Sequence, residues 1–161
     1  MKLSTRKAAA LLAALLALAL LAACGGAGKN VPAPDLAAEI SAALGKTDAL
    51  AVNDGTFLGM SGASAAQLGD YQILINRIGA NIDEFGVFHA SSDGASAREI
   101  KAVVEAYLAV RLEKWMEEYM PEEKPKLENA EVRVSGDYVL YCILSDADKT
   151  TAFRTFEDAV R

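Results

Sequence analysis

The side chains that could carry chemistry are few in this chain, and they form no recognisable catalytic set. His89 is the single histidine. Ser61 lies in Gly59-Met60-Ser61-Gly62, which is not the G-x-S-x-G pattern of a nucleophile elbow. The sequence has no Cys and His cluster with zinc-ligand spacing and no phosphate-binding glycine loop after a strand. We therefore predict no metal, no cofactor and no catalytic residue, and we interpret His89 as structural or exposed.

Two adjacent carboxylates, Asp83 and Glu84, stand in a segment rich in strand-forming residues. Neighbouring residues on a strand point to opposite faces of a sheet, so these two cannot easily share one site. We interpret Asp83 as solvated and Glu84 as structurally paired. Cys142 lies in a uniformly apolar segment, where a thiol is expected to be buried and inert.

Arg111 is the predicted partner of Glu84. It falls on the same helical stripe as Tyr107 and Trp115, so its guanidinium should lie near the sheet and require an anion. If Asp83 faces one way, Glu84 points to the other side, which could be the side that the helix covers. The alternative is that Arg111 reaches along the helix to water and Glu84 is solvated. Whether this ion pair is structural or functional is left open by the sequence.

The first 24 residues have a different chemistry. Basic residues precede an uninterrupted Ala and Leu run from Ala8 to Ala23, which is the layout of a secretory signal and is shorter than the roughly 20 residues of a membrane-spanning helix. The end of this run, Leu21-Ala22-Ala23-Cys24, resembles the lipobox of bacterial lipoproteins. The resemblance implies lipidation of the Cys24 thiol and cleavage between Ala23 and Cys24. An ordinary signal peptide with a chance cysteine, or an uncleaved short anchor, is the alternative.

These features divide the chain into a signal peptide (1–23), a lipidated cysteine with a flexible Gly- and Pro-rich tether (24–34), and one domain (35–161). Cleavage would remove three basic residues and change the formal net charge from −6 to −9. Such a charge disfavours nucleic acid and adsorption to anionic headgroups, so the acyl chains on Cys24 would hold the protein at the outer face of the cell membrane. With Cys24 lipidated, Cys142 would be the only thiol and could form no internal disulfide.

Periodicity and turn residues predict the elements that position these side chains. A first helix runs from Asp35 to Gly45, the stretch from Lys46 to Gly62 is mostly irregular, and a short helix follows Ser64. The remaining predicted elements are strands over Tyr71–Ile78 and Ile82–Ala90, a long amphipathic helix over Ser96–Tyr119 ended by Pro121, strands over Glu131–Ser135 and Tyr138–Leu144, and a helix opened by Ser145. This α-α-β-β-α-β-β-α order predicts an α+β fold with a mainly antiparallel four-stranded sheet packed against helices.

Several short motifs in one order resemble a known family. They are Ile82-Asp83-Glu84-Phe85-Gly86-Val87-Phe88, the arginine in Tyr107-Leu108-Ala109-Val110-Arg111-Leu112, Tyr119-Met120-Pro121, Leu127-Glu128-Asn129-Ala130-Glu131-Val132 and Gly136-Asp137-Tyr138-Val139-Leu140. The similarity is to lipoproteins of Gram-positive, largely clostridial bacteria catalogued as domain of unknown function 4358. It implies an envelope lipoprotein and supplies no established activity.

Two classes of function follow from these residues. The favoured one is a non-catalytic envelope module that binds a protein or a small ligand beside the membrane. The alternative is an envelope enzyme that uses carboxylates such as Glu84, for instance on cell-wall glycan. A glycosidase would require two carboxylates that converge across a cleft, about 5–9.5 Å apart.

Overall fold

The computed structural model describes residues 29–116 and 118–161. In chain order their elements are α1 (Ala33–Ala43), β1 (Leu50–Val52), α2 (Gly55–Ser61), α3 (Ala65–Leu68), β2 (Asp70–Asn76), β3 (Glu84–His89), α4 (Ala97–Glu113), α5 (Lys124–Glu128), β4 (Glu131–Ser135), β5 (Tyr138–Ile143) and α6 (Asp146–Val160). None of the helices in this part of the chain combines the length and the apolar composition needed to span a bilayer.

The sheet has five strands in the order β1-β2-β3-β5-β4, and every neighbouring pair is antiparallel. The α+β class and the hairpin of β2 and β3 are confirmed, whereas the prediction of four strands is wrong. The missing strand is β1, and α2 follows it closely. Glycines and Asn53-Asp54 led to the prediction of an irregular stretch. Only Asn53 and Asp54 separate the three-residue strand from the seven-residue helix, which contains Gly55 and Gly59 and is followed by Gly62.

Helices cover both faces of the sheet and divide the core in two. Residues of α1 and α6 pack on one face, against β3 residues such as Phe85 and Val87. Residues of α2, α3 and α4 pack on the other face, where β3 presents Phe88. Since successive strand residues alternate between faces, Glu84 lies on the same face as Phe88, under α4.

Helix α1 starts two residues before the predicted position. Pro32 occupies the N-cap position, Pro34 lies in the first turn, and Asp35 is inside the helix instead of capping it. Proline is well placed there, because the first turn has no internal acceptor for its missing N–H. Ala33 is fully buried, and its N–H donates to Asp70 Oδ2 at 2.6 Å. The last two residues of the predicted tether are therefore helical.

Helix α4 ends at Glu113, six residues before the predicted end at Tyr119, so Pro121 does not terminate it. Seventeen helical residues already extend about 25 Å, whereas the six-residue central strands extend about 20 Å. Helical residues beyond Glu113 would therefore extend past the length of these strands. Tyr119 is accordingly 58% exposed, and Trp115 is only half-buried against the second core.

Candidate functional site

Glu84 is the centre of a buried polar cluster under α4. It is the first residue of β3 and is only 2% exposed. Its Oε1 accepts hydrogen bonds from the hydroxyls of Tyr107 and Tyr141, both at 2.7 Å. Its Oε2 accepts from Nη1 of Arg111. Both carboxylate oxygens of Glu84 are therefore occupied by protein donors.

Helix α4 supplies two members of this cluster from one face. Tyr107 and Arg111 are four residues apart, which places their side chains one above the other. Arg111 Nη1 also donates to the Tyr107 hydroxyl oxygen at 3.0 Å, so that hydroxyl accepts from Arg111 and donates to Glu84. The structure thus brings together Glu84 and Arg111, the two residues that strand alternation and the helical stripe indicated.

The electrostatics of the cluster keep its donors protonated. Burial, reinforced by the negative charge of Glu84, raises the pKa of Tyr107 and also that of Tyr141 above the ordinary range. Burial opposes the charge on Arg111, but the adjacent Glu84 carboxylate outweighs it and raises the arginine pKa. The phenols are therefore hydrogen-bond donors at physiological pH, and the single charged pair is Glu84 with Arg111.

Tyr141 reaches Glu84 because the residue opposite it is glycine. Tyr141 on β5 is in register with Gly86 on β3, two residues along the strand from Glu84. A Cβ at Gly86 would collide with the Tyr141 ring and would lie 3.1 Å from Ile73 Cγ1. The ring thus occupies the space of the missing side chain. Sequence reasoning missed Tyr141, since β5 is buried at every position and shows no alternation.

A cleft of about 340 Å³ lies over the charged pair. Arg111 contributes to its lining and has 18% of its side chain exposed. A guanidinium has five N–H donors, and the described residues provide acceptors only for those on Nη1. The rest of the lining includes the paired carboxylates Asp83 and Glu84 together with apolar and neutral polar side chains, chiefly Thr56, Met60, Ile75, Asn81, Tyr119 and Met120. Such a mixture suits a ligand with an apolar body and a hydrogen-bond acceptor.

Asp83 is not solvated, contrary to the sequence-based prediction. It is 5% exposed, with Oδ2 2.7 Å from Lys46 Nζ and Oδ1 2.9 Å from Lys126 Nζ. Burial opposes ionisation of Asp83, yet the two ammonium groups outweigh it and hold the carboxyl pKa below its usual range. These lysines come from the chain after α1 and from α5, a helix that the periodicity did not reveal. Asp83 and Glu84 therefore have separate basic partners.

We expect acid to remove the contribution of Asp83 to stability. Because the folded-state pKa is depressed, the contribution is complete above the unfolded pKa of about 3.9 and is lost as pH falls through the folded value. Asp83→Asn should lower the free energy of unfolding by about 1–3 kcal/mol at pH 7, less than for a fully buried pair because both lysines touch solvent. Urea unfolding at several pH values measures this difference, which should shrink below about pH 4.

Asp158→Asn is the matched control for that experiment, because the side chain of Asp158 is 64% exposed. Its substitution should change stability by less than about 0.5 kcal/mol. A loss for Asp83→Asn that stays the same from neutral to acidic pH would contradict the assigned ionisation.

The other reactive side chains have structural surroundings. The His89 ring stacks on Tyr138 with 4.1 Å between centroids. Cys142 is fully buried, and burial raises the pKa of its thiol. Ser61 Oγ accepts from the N–H of Ala63 at 3.2 Å. No group of three or more His, Cys, Asp or Glu side chains in the described ranges could hold a metal ion. The predicted lipidation and cleavage positions, Ala23 and Cys24, lie outside the residues that the structure describes.

Comparison with known protein families identifies a family that this chain resembles. The model of a family described as "Domain of unknown function (DUF4358)" matches residues 60–144. This span includes all four members of the polar cluster: Glu84, Tyr107, Arg111 and Tyr141. No curated protein and no solved structure matches the chain.

Proposed function

Since this chain belongs to the DUF4358 family, as its short motifs predicted, we propose from its own residues that it is a lipid-anchored extracytoplasmic lipoprotein. In this proposal Cys24 carries the anchor at the outer face of the cell membrane. The folded domain binds an envelope protein or a small ligand and does not transform it. The cleft over Arg111 is the binding site.

The observation that carries the binding role is that protein donors contact both oxygens of each of the two central carboxylates. General acid or base catalysis requires a carboxyl group within hydrogen-bond reach of the substrate. Glu84 instead accepts from two phenols and Arg111, and Asp83 accepts from two lysines. Protonation of either carboxylate would remove its negative charge and weaken its ion pairs, so proton uptake from a substrate is unfavourable there. This arrangement favours recognition over the alternative of a carboxylate-dependent enzyme acting on wall glycan.

The anchor is supported by the N-terminal sequence. Three basic residues, an apolar run too short for a spanning helix, and the lipobox-like Leu21-Ala22-Ala23-Cys24 occur in the order that export and lipidation require. The net charge of −9 expected after cleavage makes electrostatic adsorption unfavourable. At roughly 0.8 kcal/mol per buried methylene, two or more acyl chains would suffice for stable attachment.

We expect Cys24→Ser to abolish lipidation and release the domain from the membrane, because only the thiol can form the thioether. Intact-mass measurement and membrane fractionation of the full-length chain test this. Cys142→Ser is the control, since it alters the buried thiol and should leave the acyl mass unchanged. A wild-type mature chain that lacks acyl mass or starts elsewhere than Cys24 would overturn the anchor.

The binding site is tested by a photoreactive phenylalanine derivative at Tyr119, which lines the cleft and is largely exposed. The matched control carries the same group at Arg154, an exposed position on α6. Irradiation of intact cell envelopes should give a defined adduct at Tyr119 and not at Arg154, detected by intact mass and electrophoresis. Equal labelling at both positions, or none at Tyr119, would remove the cleft from the proposal.

A further inference from the structure

The segment that precedes α1, residues 29–31, is hydrogen-bonded to Tyr138 at one end of the sheet. The N–H of Val31 donates to Tyr138 Oη at 2.8 Å, and the same hydroxyl faces the carbonyl of Val31 at 2.9 Å. The carbonyl of Lys29 lies 3.3 Å from it. Tyr138 is the first residue of β5 and pairs with His89, the last residue of β3. The chain therefore enters the domain beside the turn at Gly136 and Asp137.

The cleft lies at the opposite end of the same strands. Glu84 begins β3, pairs with Ile143 at the end of β5, and lies beneath the cleft. The five steps from Glu84 to His89 extend about 17 Å at 3.3 Å per residue. The turn between β2 and β3, which includes the exposed Ala80, projects further at the cleft end.

From this arrangement we infer an orientation for the lipidated protein. The Tyr138 end of its sheet lies next to the bilayer, and the Arg111 cleft faces away from the membrane. The inference rests on the proposed lipidation of Cys24. Lys29 is five residue-to-residue steps along the chain from Cys24, and a polypeptide of that length spans at most about 18 Å. The Tyr138 end must stay within that distance of the headgroups. To bring the Ala80 turn onto the bilayer, the chain would have to be almost fully extended along the whole length of β3.

This orientation limits the class of ligand. An occupant of the cleft has to approach from the outer side of the domain, roughly a strand length above the headgroups. Lipid headgroups of the same bilayer lie on the wrong side. The orientation therefore excludes headgroups of the same bilayer as occupants of the cleft, and the surface formed by Lys29, Asn30 and Asp137 faces the membrane.

Two labelling sites distinguish the ends of the sheet. We would introduce Asp137→Cys and Ala80→Cys separately into the full-length chain, since both residues are exposed and lie in turns at opposite ends. Each thiol receives the same small fluorophore after lipidation has been verified by mass. The native Cys142 is fully buried, so the unmodified protein measures background labelling. The labelled lipoproteins are then reconstituted into vesicles that contain a lipid with a quencher in its headgroup.

Headgroup quenching should cause a severalfold greater loss of fluorescence at the Asp137→Cys label than at the Ala80→Cys label. Equal losses, or a greater loss at Ala80→Cys, would overturn the orientation while leaving lipidation intact. The unlipidated Cys24→Ser chain should show no vesicle-dependent quenching at either label. A full-length chain whose mass shows no acylation would instead overturn the proposed anchor, so the two failures are distinguishable.

Discussion

Arg111→Met should lower the free energy of unfolding by about 3–5 kcal/mol, the range observed when one partner of a buried ion pair is removed. Methionine retains much of the apolar stem of arginine, but it removes the positive charge beside Glu84. The Glu84 carboxylate, which belongs to a residue only 2% exposed, would then be buried without a countercharge. The two phenols would still donate to Oε1, while Oε2 would lose its protein donor. Chemical denaturation monitored by circular dichroism measures the loss.

A double-mutant cycle isolates the contact itself. Glu84→Gln removes the charge and retains a carbonyl oxygen that can accept from the phenols. In the double variant neither residue carries a charge, so the combined loss should be smaller than the sum of the single losses by at least about 1 kcal/mol. Losses that add within about 0.5 kcal/mol would show that the pair is not coupled.

Arg133 offers a matched control for Arg111. Its guanidinium is paired with Glu157 at 3.0 Å, but 44% of the Arg133 side chain is exposed. Exposed ion pairs contribute about 0–1 kcal/mol, because water screens the charges and solvates the remaining partner. A cycle on Arg133 and Glu157 should therefore give a much smaller coupling. Equal coupling in both cycles would mean that burial of Glu84 does not determine the energy of its contact.

The contact of Glu84 with Arg111 could be anticipated because each residue belongs to a strong local pattern. Strand alternation separates Glu84 from Asp83, and the helical period places Arg111 beside Tyr107. The predicted helix starts at Ser64 and Ser145 are similarly local, and each of these serines occupies the N-cap position of its helix in the structure. Local patterns of this kind depend on chemistry within a few residues, so they can be read without knowledge of the tertiary structure.

The rest of the site depends on contacts between distant parts of the chain. Asp83 is paired with Lys46, which precedes it in the sequence by 37 residues, and with Lys126, which follows it by 43 residues. No helical or strand periodicity relates residues that far apart. Helix α4 ends at Glu113 although the apolar pattern continues to Tyr119, so that pattern alone does not determine where the helix ends. Phe57 belongs to a stretch predicted to be irregular, yet it packs 4.7 Å from the Tyr107 ring in the second core.

Gly86 is the second position at which a single change should have a large effect. Gly86→Ala should lower the free energy of unfolding by about 3–5 kcal/mol, combining overpacking of about 1–3 kcal/mol with loss of a charged hydrogen bond of about 1.5–3 kcal/mol. The added methyl collides with the Tyr141 ring. Phe57, Phe88 and Tyr107 surround that ring, with centroids 6.0, 6.2 and 6.0 Å away. We therefore expect displacement of the ring to weaken the hydrogen bond from its hydroxyl to Glu84.

Gly59→Ala is the control for this substitution, because a Cβ at Gly59 would meet nothing within 4 Å and the residue lies inside α2. There alanine should stabilise the protein by about 0.5–1 kcal/mol, since glycine loses more conformational freedom on folding. A loss of stability for Gly86→Ala, opposite in sign to the change for Gly59→Ala, would then be attributable to packing at Gly86 and not to the replacement of glycine as such.

Tyr141→Leu provides the decisive second site. Leucine removes the part of the ring that meets the new methyl, and it also removes the hydroxyl that binds Glu84. If the steric contact governs the effect, Gly86→Ala should cost at least about 1 kcal/mol less in the Tyr141→Leu background than in the wild type. If Gly86 is required for another reason, its cost should be the same in both backgrounds. Equal costs would show that Gly86 is not what allows the Tyr141 ring to reach Glu84. Another cause for the position of Tyr141 in the Glu84 cluster would then be required.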